Sequence, residues 1–213
     1  VLSATFRQAS TPTAAAREKD PANRWLARGP VLRLTSEMVR DQALLAAGTL
    51  VEKVGGESAS EGARRRSVYT YRRRTAPPDS MLIFDAGSRE VCQPRRLNTN
   101  TPLQALVLLN NPVFAESAQR LAAKVTPTAA APRDQIAMAF RAVCTREARP
   151  TELAALEELH AAQKALVAAE PPPAPVTDAK GKKTTPRRPD PALVALSRVC
   201  ATILASDAAV TSR

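Results

Sequence analysis

From Thr35 onward apolar residues recur at Val39, Ala43, Ala46 and Leu50, the spacing of one helical face. Thr35 stands where an N-cap belongs and Gly55-Gly56 where a helix stops, so the pattern predicts a helix between them. A second helical segment runs from Pro102 to Leu109, with Thr101 as its N-cap and Gln104 as the third residue of a capping box. Asn110-Asn111-Pro112 interrupts it, and Asn111 caps a further helix through Phe114, Ala118 and Leu121. Later apolar stripes predict three more helices, through Ile136, Phe140 and Val143, through Leu153, Leu156, Leu159 and Leu166, and through Leu196, Val199, Cys200 and Ile203.

Two stretches depart from helical spacing. Val68 to Arg72 and Met81 to Phe84 read as short strands around Thr75-Ala76-Pro77-Pro78-Asp79-Ser80, predicting a β-hairpin near 66–85. Glu170 to Pro191 has little to bury, with Pro171-Pro172-Pro173 followed by Lys180, Lys182, Lys183, Arg187 and Arg188. It reads as a disordered Pro/Lys-rich insertion. The expected fold is therefore mainly α. A helical domain with a minor hairpin covers 1–169, a linker covers 170–191, and a C-terminal helix within 192–213 packs back on the domain.

Composition sharpens this picture. Scarce Gly (7), abundant Pro (18) and 44% hydrophobic residues with only 3% aromatic favour short Ala/Leu helices joined by proline-marked loops. No apolar run approaches the roughly 18 residues of a membrane span. Cys92, Cys144 and Cys200 form no Cys-x-x-Cys-His, so no c-type haem site and no cofactor is expected in this chain. With His160 as the sole histidine, no metal site is expected either. Cys144 and Cys200 fall on apolar helix positions and read as buried free thiols.

The net charge of +11 is unevenly spread: nine arginines lie between Arg64 and Arg96 against Asp79, Asp85 and Glu90. Such a field attracts polyanions. Without finger spacing, an RNP motif or many aromatics, the sequence does not point to nucleic acid as the partner. Arg95 and Arg96 supply charge and forked donors, and Asn98, Thr99 and Asn100 supply short polar groups, just before the N-terminus of the Pro102 helix. Asn110 adds an amide at the helix break. These six are the ligand-binding candidates, although the same residues equally suit a loop tied to Asp85, Glu90 or exposed carbonyls. Glu37 and Asp41 make an i,i+4 carboxylate pair, and Asp85 is a third candidate. A shared pocket would suit them to acid/base work, whereas pairing with Arg33 and Arg40 would make them structural.

Several of these stretches also carry a resemblance. Phe6-Arg7-Gln8-Ala9-Ser10, Asp20-Pro21-Ala22-Asn23-Arg24-Trp25-Leu26-Ala27-Arg28, Arg33-Leu34-Thr35-Ser36-Glu37 with Arg40-Asp41, Arg65-Arg66-Ser67-Val68-Tyr69-Thr70, Phe84-Asp85-Ala86 and Asn98 to Leu106 occur in order. Together they resemble the C-terminal domain of unknown function of large planctomycete proteins that also carry planctomycete-type cytochrome c domains and a companion domain. The resemblance implies an exported, periplasmic or cell-envelope setting, with haem c only in upstream domains and companion domains of the same polypeptide as partners. Since the chain opens at Val1 within a motif-bearing region, it reads as the tail of a longer polypeptide or a partial gene product. The segment Glu57 to Ala63 is shorter than the family's usual insertion, and Leu204 to Val210 departs from the family's closing strip. The expected function is to hold an anionic or carbohydrate ligand, such as anionic polysaccharide, or a companion domain. The alternative is a polysaccharide-degrading enzyme domain using a carboxylate pair.

Overall fold

The structure, a computed structural model, describes residues 3–4, 7–75, 77–87, 92, 94–171, 176–177, 183–184 and 190–212. Among these it is mainly α, as the periodicity predicts. The helices are α1 (Ala14–Lys19), α2 (Ser36–Ala46), α3 (Asp79–Ile83), α4 (Pro102–Asn110), α5 (Pro112–Val125), α6 (Pro132–Cys144), α7 (Pro150–Ala169), α8 (Pro191–Ala205) and α9 (Asp207–Val210). The core forms where the longest apolar stripes meet. Leu196, Val199, Cys200 and Ile203 of α8 pack against Phe114, Ala118, Leu121, Ala122 and Val125 of α5. Both sets follow the helical face spacing, so each helix buries one stripe at roughly 25 cal/mol per Å² of apolar surface. α2 adds Val39, Ala43 and Ala46, and α6 adds Ile136, Phe140 and Val143 to the same core. α7 lays Leu153, Leu156 and Leu159 against its edge, where His160 is buried as a packing residue.

Short strands close the ends. β1 (Leu32–Arg33) pairs antiparallel with β4 (Thr211–Ser212), bringing the segment ahead of α2 against the end of the chain. β2 (Val176–Thr177) and β3 (Lys183–Thr184) pair antiparallel inside the stretch read as a linker. That pairing has no signal in the composition. The rest of 172–189 lies outside the described residues, as do Phe6 and Glu90.

Three local expectations are corrected. α2 ends at Ala46 because Gly48 adopts φ 70° and the backbone N–H groups of Gly48, Thr49 and Leu50 turn back to Leu45 and Leu44. Gly55-Gly56 belongs to a separate later turn, and Leu50 is not helical. The predicted hairpin is absent. Pro78 and Asp79 start the short helix α3, with Asp79 in its first turn, so Met81 and Phe84 bury together at helical rather than alternating spacing. Ser67–Tyr69 forms a turn of 3-10 helix, and the flanking backbone makes isolated parallel bridges, Val51 to Arg65 and Ala59 to Thr70. Finally, Thr101 occupies the N-cap of α4 without a side-chain cap bond. Gln104 does not complete a capping box, because its amide is turned inward.

Candidate functional site

Polar residues from several of the family-like stretches converge around the first two turns of α2, whereas Asp20, Asn23 and Arg28 bond among themselves. Thr35 caps that helix, accepting from the Met38 N–H at 3.5 Å, which places Glu37, Arg40 and Asp41 at its N-terminal end. Glu37 accepts from Arg72 at 2.8 Å and from both terminal nitrogens of Arg96 at 2.9 and 3.2 Å, while the Ser36 hydroxyl donates to it at 2.9 Å. Burial pushes the Glu37 pKa up. The bonds from Arg96, its own backbone and Ser36 more than reverse that push and leave it at about 2. Glu37 is therefore an anion at neutral pH and has no proton to give.

Arg40 is 4% exposed and acts as a clasp. Its terminal nitrogens donate to the backbone carbonyls of Glu61, Ala63 and Arg65 and to the Ser67 hydroxyl. Ser67 in turn donates from its N–H and its hydroxyl to Asp41 Oδ1, both at 2.7 Å. Longer ion pairs from Asp41 reach Arg40 at 3.8 Å and Arg66 at 3.7 Å. The helical i,i+4 pair of Glu37 and Asp41 thus divides between different partners, and the expected neutraliser Arg33 serves neither. Arg33 donates to Gln104 Oε1 at 2.7 Å instead.

Gln104 is the hub that sequence reasoning assigned to a cap. Its amide is 1% exposed and donates to the Ile83 carbonyl at 2.9 Å and to the Thr99 hydroxyl at 3.2 Å. Thr99 is latched to Asp85, with its N–H 2.7 Å from Oδ2 and its hydroxyl 2.8 to 3.0 Å from both oxygens. Asp85 sits at φ 59°, a left-handed conformation that aspartate tolerates better than most residues. The loop before α4 is consequently fastened at Arg96 and at Thr99.

The remaining candidates are placed differently. Arg95, Asn98 and Asn100 are exposed and make no hydrogen bond or ion pair within the described structure. Asn110 donates to the Leu106 carbonyl of its own helix at 2.9 Å, and Asn111 accepts from the Val113 N–H, capping α5 as expected. Arg73 lies over the Tyr71 ring, and neither it nor Arg74 has a carboxylate partner among the described residues. Arg72, Ser67 and Gln104 were missed as site residues. The signal was there, since each lies inside or beside a motif of the resemblance.

The described residues contain no group of His, Cys, Asp and Glu suited to a metal ion, and no helix long and apolar enough to cross a membrane. Cys144 is half-buried and Cys200 buried, and burial pushes their thiol pKa values up to about 11 and about 12. Neither is an activated nucleophile.

Residues 1–160 match the family described as PSD1, protein of unknown function (DUF1553), and the chain belongs to that family. No match was found among curated proteins or among solved structures.

Proposed function

We propose that this member of the DUF1553 family is a non-catalytic module whose basic face receives an anionic polysaccharide. The observation that carries the reading is the meeting of Arg72 and Arg96 on the Glu37 carboxylate. One half-buried anion draws two arginine-bearing segments together, 72–74 and 95–96, while Arg73, Arg74 and Arg95 stay exposed without acidic partners. Glu37 spends its charge on the two structural arginines, so the three outer guanidinium groups are left to bind sulfate or carboxylate, for which their forked donors are suited. Asn98 and Asn100, exposed beside Arg95, add donors and acceptors for sugar hydroxyls.

In this reading the module works in an exported cell-envelope protein, beside companion and cytochrome domains of the same polypeptide, and contributes no cofactor of its own. The alternative, a polysaccharide-degrading enzyme using Glu37, Asp41 or Asp85, has weaker support. A general acid needs a raised pKa, whereas Glu37 is held at about 2, and Asp41 and Asp85 each accept from fixed neighbours.

The test is retention on immobilised heparin and binding to soluble polyuronate. Changing Arg73, Arg74 and Arg95 together to Ala should lower retention and flatten its salt dependence, with the melting temperature unchanged. Retention equal to the parent protein overturns the reading. Tighter binding to duplex DNA than to polysaccharide of matched charge would assign the face to nucleic acid instead.

A further inference from the structure

A groove of about 790 Å³ opens beside Asp41, between α2, the loop after it and the end of α6. The apolar part of its lining is Leu34, Met38, Leu45, Leu50, Val54 and Tyr69, set among charged and polar side chains. Met38 and Leu45 lie two turns apart on the same face of α2 and remain more than half exposed, and Val54 is 89% exposed. A concave site of this volume with apolar walls and a few polar groups is the usual form of a small-molecule pocket.

The charges around it are unequally committed. Arg146 is bound through both terminal nitrogens to Glu152 at 2.8 and 2.7 Å. Asp41 accepts both Ser67 bonds on Oδ1 and faces two guanidinium groups. Glu52 also lines the groove and makes no bond within the described structure, one open carboxylate against two open cations. Two cations retain donors. The Lys53 ammonium has no bond within the described structure, and Arg66 makes only its 3.7 Å contact to Asp41 with a side chain 64% exposed. An apolar cleft with uncommitted cations in its wall matches a ligand with an apolar body and one anionic head.

We infer that this groove binds an amphipathic anion of the fatty-carboxylate class, its chain along Met38, Leu45, Leu50 and Val54 and its head at Lys53 and Arg66. This site is separate from the outer arginines of the proposed polysaccharide face and stands or falls independently.

The chain's three methionines supply the readout. Met38 lines the groove, Met81 is buried in the core, and Met138 lies on α6 outside the groove. With methionine methyl groups labelled for NMR, dodecanoate below its micelle concentration should shift Met38 saturably and leave Met81 in place. Dodecyltrimethylammonium, with the same chain and opposite charge, should bind at least about tenfold more weakly, because a charge pair in a partly desolvated groove counts for more than one in bulk water. Lys53→Glu with Arg66→Glu should remove that preference, and Leu45→Glu should weaken both probes. Absence of a saturable Met38 shift, or equal affinity for the two probes in the parent protein, overturns the inference. So does a joint shift of Met38 and Met81, which would report loosening of the fold rather than occupancy.

Discussion

Glu37 and Arg72 form the shortest ion pair of the site: the Arg72 side chain is 8% exposed and donates at 2.8 Å to a carboxylate that also holds Arg96. Glu37→Gln would leave that guanidinium buried without its charge partner. Removing one member of a fully buried pair typically costs about 3 kcal/mol or more, and the partial exposure of Glu37 lowers the expected cost to about 2 kcal/mol. Chemical denaturation should show a loss of that order, with the loop before α4 becoming more open to protease than the α5 and α8 core.

The same carboxylate sets an acid limit. Glu37 and Glu152 both have folded-state pKa values near 2, against 4.5 for an unperturbed glutamate; Glu152 is lowered chiefly by the bonds from Arg146. Because the folded values are depressed, their stabilising effect is complete above about pH 4.5 and is lost as pH falls toward 2. The melting temperature should decline across that window. Glu37→Gln and Glu152→Gln should each flatten the decline while lowering stability at neutral pH.

Neighbouring arginines should behave oppositely. Arg96→Ala removes two bonds to Glu37 and should cost about 1 to 2 kcal/mol, the half-exposed position keeping the figure low. Arg95→Ala touches no described partner and should change stability by less than about 0.5 kcal/mol. Equal losses in the two variants would contradict the assignment of Arg96 to the scaffold.

Gln104→Ala should be more damaging than the loss of a surface amide. It strands the Ile83 carbonyl and frees Arg33 from its acceptor, and each unsatisfied buried group costs on the order of 1 to 3 kcal/mol. Asp85→Ala should also destabilise, through loss of the Thr99 latch and through a left-handed backbone that alanine resists by about 1 kcal/mol. Asp85→Asn retains the backbone tolerance and should recover part of the loss.

Thiol chemistry offers a check on packing. Cys92 is exposed, whereas Cys144 and Cys200 have thiols held protonated by burial. A disulfide-exchange reagent at neutral pH should titrate Cys92 rapidly, the half-buried Cys144 slowly and Cys200 only on unfolding. Fast reaction of all three thiols would show that α8 opens in the native state.

The helical core was legible because its signals are local. Stripes such as Leu196, Val199, Cys200 and Ile203 repeat at the helix period, and Asn111-Pro112 marks its own helix start. The site was legible only in part. The motifs are visible and a tied loop is one of the two readings they allow, but Arg96 ties to Glu37 rather than to Asp85, Glu90 or a carbonyl, and Arg72, Ser67 and Gln104 meet their partners across separations of 21 to 71 residues. No periodicity encodes such a meeting. The hairpin failed because alternation over four or five residues resembles a helical turn, and Pro77-Pro78-Asp79 starts a helix as readily as it makes a turn.

The clasp made by Arg40 has a consequence for how this segment tolerates change. Arg40 grips the carbonyl oxygens of Glu61, Ala63 and Arg65, and every amino acid supplies that atom. Its hold on 61–65 therefore depends on the path of the main chain and scarcely on which side chains the segment bears. Residues 58–63 can be exchanged without loosening that hold, so long as Arg40 and the Ser67 anchor persist and Arg65 keeps its bonds to the Lys53, Gly55 and Glu57 carbonyls. Randomising 58–63 as a library should return mostly folded proteins, while a single Arg40→Lys, which cannot span several acceptors with a flat fork, should return few.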